Sequence, residues 1–573
     1  MSWFFGIAIS QDKQLDRSSF HIPHPEPLIV ISTSCLYLAF GGIPETCVVV
    51  QETESSGWAI VGLGIKTTDD KATLMKKEDW LLIIAAEQFP YKILDGHFIV
   101  LRWKNDQIEM FSDQLGLRTA YAATFQDHVC FSTRLDWVAQ TSRKNELELE
   151  AVAGRWLLFN QLSYNSCVKG IERIGPSGQL VISKGAIISN TCCDWLPEFS
   201  SRPLNVMMDE LRKIIQGATE SDWKVAMALS GGLDSRVIFS MLFNDPRKCF
   251  STFSFGEKND PDSQISSRIA IDQNISHQHF LKPIPKSHEL LEMIREYAAE
   301  NILLEPISTL LRLQHYKDLY HQGNIIVDGG FGEIARRQYL NRLATFGKEA
   351  ILQKNSTRAL EYLRVSRADI FQPEVTQIFE EEASVSLDRK FSEMPEAVNI
   401  GIENFINLLS IRSRFPNFGE AEQARSDVAV VNFMPMAQPS FLSAVFSTDL
   451  SLRKNGRLFR DFIKKEVPQL SKYELVKGGT TYPFYLSHKM SYGFVKLKKK
   501  LRQTYIDSTS ERVLECLKNI ILDLAQESKS FSLYAHKKID FAVKSYYSGD
   551  KRQQRVVEWW LTFDLWRRSL LPR

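Results

Sequence analysis

The stretch Val225-Ala226-Met227-Ala228-Leu229-Ser230-Gly231-Gly232-Leu233-Asp234-Ser235-Arg236-Val237-Ile238 constrains this chain more than any other. Its first part is an apolar run of buried-strand length that ends in Ser-Gly-Gly. From Leu233 onward the apolar residues Val237, Ile238, Met241 and Leu242 recur at helical spacing. The spacing predicts strand, glycine turn, helix. Glycines in such a turn let the backbone approach a ligand closely and adopt positive φ. The helix N-terminus offers unpaired N–H groups and partial positive charge to an anion. Ser230 and Ser235 add hydroxyl donors, and Asp234 is a hard oxygen ligand suited to a Mg²⁺ that neutralises a polyphosphate. No Gly-Lys-Ser/Thr follows, so the loop is not of the kind that transfers a γ-phosphoryl group. The chemistry it favours is the cradling of pyrophosphate.

A chain of 573 residues exceeds one hydrophobic core, so two or three domains are expected. With 44% apolar residues, 24% charged residues and a net charge of +2, it reads as globular, with no bulk nucleic-acid or membrane partner. The basic run Lys496-Leu497-Lys498-Lys499-Lys500-Leu501-Arg502 is a local exception, read as a solvated helix face. Eight cysteines lack paired metal-ligand spacing and read as reduced thiols, Cys192-Cys193 included, which places the protein in the cytoplasm. No signal-peptide pattern opens the chain, and no apolar run reaches the roughly 18 residues of a membrane span.

Up to about residue 194 the chain alternates short apolar segments with turns. Strands are predicted at 28–31, 58–63, 81–85, 98–103, 108–112 and 129–132, with a helix over 147–159. The expected result is a β-rich domain of two packed sheets. A Pro/Ser-rich connector covers 195–203. Beyond it come an amphipathic helix at 206–217, a strand at 249–255, a helix at 262–273 and a strand containing His277. Alternating strands and helices imply a mostly parallel sheet that binds ligands at the strand carboxyl ends. Asn324-Ile325-Ile326-Val327-Asp328-Gly329-Gly330-Phe331-Gly332-Glu333-Ile334-Ala335-Arg336-Arg337 repeats the strand, glycine turn, helix form. From about residue 348 the pattern is helical, as at 358–365 and 401–411, and Trp559, Trp560 and Trp566 read as packing residues.

Ser230-Gly231-Gly232-Leu233-Asp234-Ser235 resembles the signature of the PP-loop ATP pyrophosphatases, which cleave ATP between its α- and β-phosphates and adenylate a substrate. Leu94-Asp95-Gly96-His97-Phe98-Ile99-Val100 and Phe111-Ser112-Asp113-Gln114-Leu115-Gly116-Leu117-Arg118 resemble the class II glutamine amidotransferase domain of asparagine synthetases. Phe131-Ser132-Thr133 and Ile174-Gly175-Pro176-Ser177-Gly178 resemble later segments of that domain. Ser254-Phe255-Gly256-Glu257, then Asp262 and His277, resemble the second strand, helix and third strand of the synthetase part. Lys477-Gly478-Gly479-Thr480-Thr481-Tyr482-Pro483, preceded by Asn455-Gly456-Arg457-Leu458-Phe459-Arg460, resembles its late segments.

The resemblance implies an α/β protein. Residues 1–196 form a β-rich, two-sheet, Ntn-type amidotransferase-like domain, and 197–573 a PP-loop parallel-sheet domain with a helical C-terminal region. It further implies ATP held by Leu229, Ser230, Gly231, Gly232, Leu233, Asp234, Ser235, Phe255, Asp328 and Gly329. Mg²⁺ would lie between Asp234 and Glu333, and Lys477 would be catalytic together with those two acids.

The departures are as informative. Aligning Gly6-Ile7 with the family's Met-Cys-Gly-Ile puts Phe5 where the nucleophile stands, and an apolar ring cannot attack an amide. Ser2 lies three residues out of register. Gly330 replaces a Glu or Tyr, Asp328 a Ser, and Gln438 an Asp. Arg336-Arg337 replace apolar residues, either as a clamp for phosphate or an acidic substrate or as partners in ion pairs. The expectation is an AMP-forming ligase that joins a carboxylate to an amine without hydrolysing glutamine, as β-lactam synthetase or lasso-peptide cyclases do. Its partners would be a carboxylate-bearing small molecule or precursor peptide and an amine, or a separate ammonia source. The alternatives are an ammonia-dependent amidotransferase acting on a sugar or peptide carboxylate, and a non-catalytic nucleotide-binding relative.

Overall fold

The structure, a computed structural model, describes residues 2–571 apart from 17–19, 69–70, 85–88, 200–205, 222, 248 and 366. Its N-terminal part is two antiparallel sheets face to face. One has the strand order Glu172–Arg173, Tyr121–Phe125, His128–Ser132, Trp3–Ile9, Leu36–Gly41, Ile29–Ser32. The other runs Ala186–Thr191, Gln179–Ser183, Gln107–Ser112, Asp95–Lys104, Ser56–Thr67, Cys47–Thr53, with Ala72–Leu74 paired to Ser56–Thr67. Strand Trp3–Ile9 is buried on both faces. Phe4 and Ala8 pack between the sheets with Leu38, Phe40, Val61 and Leu101, while Trp3, Phe5 and Ile7 face the helices Leu135–Ser142 and Leu149–Leu157. Phe5 is therefore a core residue, its ring centroid 5.5 Å from that of His24. Ser2 is buried too: its hydroxyl donates to the Asp427 carbonyl at 2.9 Å and also meets Thr46.

Asp113 explains the Asp-x-Leu-Gly-x-Arg pattern. Its carboxylate accepts the backbone N–H groups of Phe98, Leu115, Leu117 and Arg118 at 2.8–3.2 Å and so fixes the turn that follows strand Gln107–Ser112. One expected strand is a helix. Lys77–Ile84 buries Trp80 and Ile84, four residues apart, and leaves Leu82 75% exposed. A short apolar run such as Leu81-Leu82-Ile83-Ile84 has the same signature in either structure. Residue 85 of that expected strand lies outside the described residues, as do 200–203 of the connector.

The second part is built on a five-stranded parallel sheet in the order His277–Phe280, Phe250–Phe255, Lys224–Ala228, Asn324–Val327, Val431–Phe433. Strands one to three run outward in one direction, and the fourth returns to the far side of the first. The order therefore reverses between Lys224–Ala228 and Asn324–Val327, where α/β sheets open a crevice at their carboxyl ends. The fifth strand, three residues long, interrupts a region whose pattern is otherwise helical. Helices Pro373–Glu393, Ile402–Arg414 and Gln554–Ser569 fill the C-terminal region, and the last buries Trp560 and Trp566. All eight cysteines are free thiols, and among the described residues no helix is long and apolar enough to cross a membrane.

Removing the Asp113 carboxylate strands its buried N–H donors. Asp113→Ala is expected to lower unfolding free energy by roughly 3–5 kcal/mol, read by denaturant titration, whereas Asp113→Asn retains part of the bonding and loses less.

Candidate active site

The crevice holds a cavity of about 600 Å³. Leu229, Ser230, Gly232, Leu233, Asp234, Ser235, Phe255, Asp328, Gly329, Glu333 and Lys477 all line it, although they come from four separate stretches of chain. Gly231 turns away: its N–H donates to Asp262 at 2.8 Å and its carbonyl accepts from Val476 at 3.0 Å. A Cβ at that position would lie 2.2 Å from the Val476 side chain, so only glycine admits this approach. Helix Leu233–Phe243 begins at Gly232 with no side-chain cap, which leaves its first-turn N–H groups for a ligand. Ser230 and Ser235 shape the loop, their hydroxyls 3.0 Å apart, and the Ser230 hydroxyl accepts from the Gly232 N–H at 3.1 Å.

The second glycine loop leaves the neighbouring strand and packs onto the first. A Cβ on Gly332 would lie 2.4 Å from the Asp234 carboxyl carbon, so this position has to be glycine for the two loops to meet. Phe331 holds a left-handed backbone at φ +69°, costly for an aromatic residue. Its ring stacks on Phe415 at 4.4 Å, which holds it there. Asp328 accepts the Gly330 N–H at 2.9 Å, and burial, with Glu422 nearby, pushes its carboxyl up to about 6.

Charge in the cavity is paired. Arg336 grips Asp234 with two contacts, Nε to Oδ1 at 2.5 Å and Nη2 to Oδ2 at 2.6 Å, and its Nη1 donates to Gln338. Glu333 pairs with Arg414 Nε at 3.1 Å. Of the two roles open to the arginines in sequence, Arg336 takes the ion pair, across two loops rather than along one helix face. Arg337 is buried and donates to the Tyr339 carbonyl at 2.9 Å. Burial raises the Asp234 carboxyl above the ordinary range even with Arg336 against it. Burial, and then Arg336, lowers the Lys477 ammonium.

A polyphosphate fits this cavity: uncapped helical N–H groups, two serine hydroxyls and four basic side chains (Arg336, Arg414, Arg460, Lys477) line it. A Mg²⁺ shared by Asp234 and Glu333 does not fit the residues as they stand. Each carboxylate is engaged by an arginine, which supplies the positive charge a bridging cation would bring.

Sequence reasoning did not assign Asp262, Gln338, Arg414, Arg460 or Tyr482 to the site. Asp262, Arg460 and Tyr482 lie inside segments whose resemblance was visible. Arg414 carries no motif; it ends helix Ile402–Arg414, just before a π-helical turn at Phe415–Gly419, an irregularity frequent at functional sites. Gln438 is absent from the cavity. It is buried, and its side-chain oxygen accepts the Gly96 N–H at 2.8 Å between the two parts of the chain. A larger cavity of about 890 Å³ lies elsewhere, lined by Tyr164, Cys192, Asp194 and Lys390, and includes none of the glycine-loop residues.

Asp328 gives the cavity a pH signature. Its folded pKa of about 6 lies above the ordinary 3.8, so the native state binds more protons in between. Its contribution is intact below about pH 4 and is lost as pH rises through 6. Asp328→Asn is expected to be more stable than wild type above pH 6 by about 3 kcal/mol, the gain vanishing near pH 4 in denaturant titrations across that range.

No curated protein sequence matches the chain. Among solved structures, NH3-dependent NAD synthetase from Campylobacter jejuni subsp. jejuni NCTC 11168, in complex with the nitrate ion, aligns at 12% identity and a TM-score of 0.20, covering 34% of this chain and 99% of its own. Glutamine phosphoribosylpyrophosphate amidotransferase from B. subtilis, complexed with ADP and GMP, aligns at 12% identity and a TM-score of 0.21, covering 61% and 73%. Likenesses this weak carry no argument. Residues 207–313 match the asparagine synthase family. That span holds the first glycine loop and three of the five parallel strands.

Proposed function

We propose that this protein is an ATP-dependent ligase that adenylates a substrate carboxylate, releases pyrophosphate and passes the acyl group to an amine. The observation that carries the reading is the convergence of the Ser230–Asp234 loop, Asp328-Gly329 and Lys477 on one cavity at the strand-order reversal. In this reading the first-turn N–H groups of helix Leu233–Phe243 and the serine hydroxyls hold the leaving pyrophosphate. The backbone beside Phe255 lies along the adenine. The substrate carboxylate attacks the α-phosphorus, the bond to the β-phosphate bridging oxygen breaks, and pyrophosphate leaves. The amine then displaces AMP, and Lys477 stabilises the charge that develops on the tetrahedral centre.

With Phe5 in the core, the N-terminal sheets offer no nucleophile for glutamine at that place. The amine is then free ammonia, a second substrate or a group of the same molecule, the last being the β-lactam synthetase and lasso-cyclase case. One observation favours a second reading, that of a nucleotide-binding relative without catalysis. Gly330 stands where relatives carry Glu or Tyr, and a Cβ there would meet nothing closer than 3.6 Å, so the side chain is missing rather than crowded out.

The test is pyrophosphate release from ATP across a panel of carboxylates. Substrate-dependent release in wild type, abolished in Asp234→Ala, is the expected result. Lys477→Met should slow amide formation about 10²-fold while carboxylate-dependent ATP–pyrophosphate exchange persists. Tight ATP binding without turnover would move the assignment to the non-catalytic reading.

A further inference from the structure

The mismatch between the two acids and a bridging metal has a specific cause, Arg336. The residue sits where the asparagine synthetase pattern has an apolar side chain, yet it lines the cavity with its side chain only 16% exposed. Two of its five N–H donors are hydrogen-bonded, one on Nη2 to Asp234 and one on Nη1 to Gln338, and Nε stands in ion-pair contact with Asp234. Contacts to two residues, Asp234 and Gln338, hold it at both ends. One N–H on each Nη remains for an anion in the cavity. A guanidinium held in this way is suited to two-point recognition of phosphate. Arg414 meets Glu333 in parallel and is held by ring contacts, 4.4 Å over Phe418 and 4.8 Å over Tyr339.

We infer that Arg336 takes the place of a divalent cation in this pocket: it neutralises Asp234 and presents its two remaining N–H groups to the polyphosphate, so that nucleotide binds without a metal bridging Asp234 and Glu333. The inference rests on the ATP-site reading above and deepens it. Charge balance supports it. Asp234 and Glu333 are each already matched by one arginine, so neither offers uncompensated negative charge to a divalent ion, and Arg460 and Lys477 stand in the same cavity to meet a polyphosphate.

The experiment is calorimetric binding of α,β-methylene-ATP, which resists cleavage at the relevant bond, in EDTA and in excess Mg²⁺. For wild type the two affinities should agree within about threefold. Arg336→Met should bind about tenfold or more weakly in EDTA and recover in Mg²⁺, because the freed Asp234 carboxylate becomes a metal ligand. Nucleotide-free Arg336→Met should also bind Mn²⁺ measurably more tightly than wild type by electron paramagnetic resonance. Arg336→Lys, with the charge but no fork, should fall between. Wild-type binding that requires Mg²⁺ would overturn the inference while leaving the ATP site standing, and that comparison needs no variant to fold. Equal binding of Arg336→Met and wild type in EDTA would overturn it as well. An absence of nucleotide binding in both conditions would overturn the ATP-site reading and this inference with it.

Discussion

Everything at the site depends on the packing of one glycine loop against another. Strands Lys224–Ala228 and Asn324–Val327 pair in parallel, Met227 beside Val327, so the turns that follow them emerge side by side. The gap between them is closed by the absence of side chains. Asp234 occupies the space a Cβ on Gly332 would need, and Gly231 admits Val476. Because the backbones touch, residues a hundred positions apart in sequence, Asp234 and Arg336, can form a two-point ion pair. The hairpin Leu475–Lys477 and Thr480–Tyr482 is held onto the same loop through Gly231 and Val476, and it carries Lys477 to the cavity wall.

The N-terminal sheets are joined to this centre through the motifs that resemble an amidotransferase. Asp95 accepts from the Ser440 N–H at 3.0 Å and from its hydroxyl, while the Gly96 N–H reaches Gln438. His97 lies 3.2 Å from the Asp427 carboxylate, and Arg118 donates to the Ser2 carbonyl at 2.5 Å. These groups are buried, so each contact satisfies a polar atom that would otherwise be costly to leave unpaired. A seam of this kind holds such residues in place for structural reasons alone. The Leu94–Gly96 and Asp113–Arg118 patterns supply the contacts of this seam and of the Asp113-centred turn.

What was legible in the sequence was local. The glycine loops, the strands that precede them and the helix after Gly232 follow from turn chemistry and apolar spacing within a dozen residues. The packing role of Trp560 and Trp566 follows from composition. The helix at Lys77–Ile84 was not legible, because four consecutive apolar residues carry no period. Strand Val431–Phe433 was too short to show one. Arg414 was hidden for a different reason. Its place in the cavity is set by the crossing of a helix eighty residues downstream of the second glycine loop, and nothing near Glu333 in sequence announces it.

The second glycine loop shows how these departures depend on one another. A Phe in the left-handed region at position 331 is costly, and the stack on Phe415 offsets that cost. Phe415 opens the π-helical turn, and the residue before it is Arg414, whose guanidinium lies 5.3 Å over the Phe331 ring and reaches Glu333. The same turn therefore supplies the aromatic partner that holds the strained loop and the cation that neutralises its acid. Arg336, four residues beyond Gly332, performs the second task for Asp234. Replacing one arginine without the other would leave one carboxylate matched and the other exposed to a cavity of unbalanced charge. The two arginines act as a pair, each neutralising one of the two cavity acids.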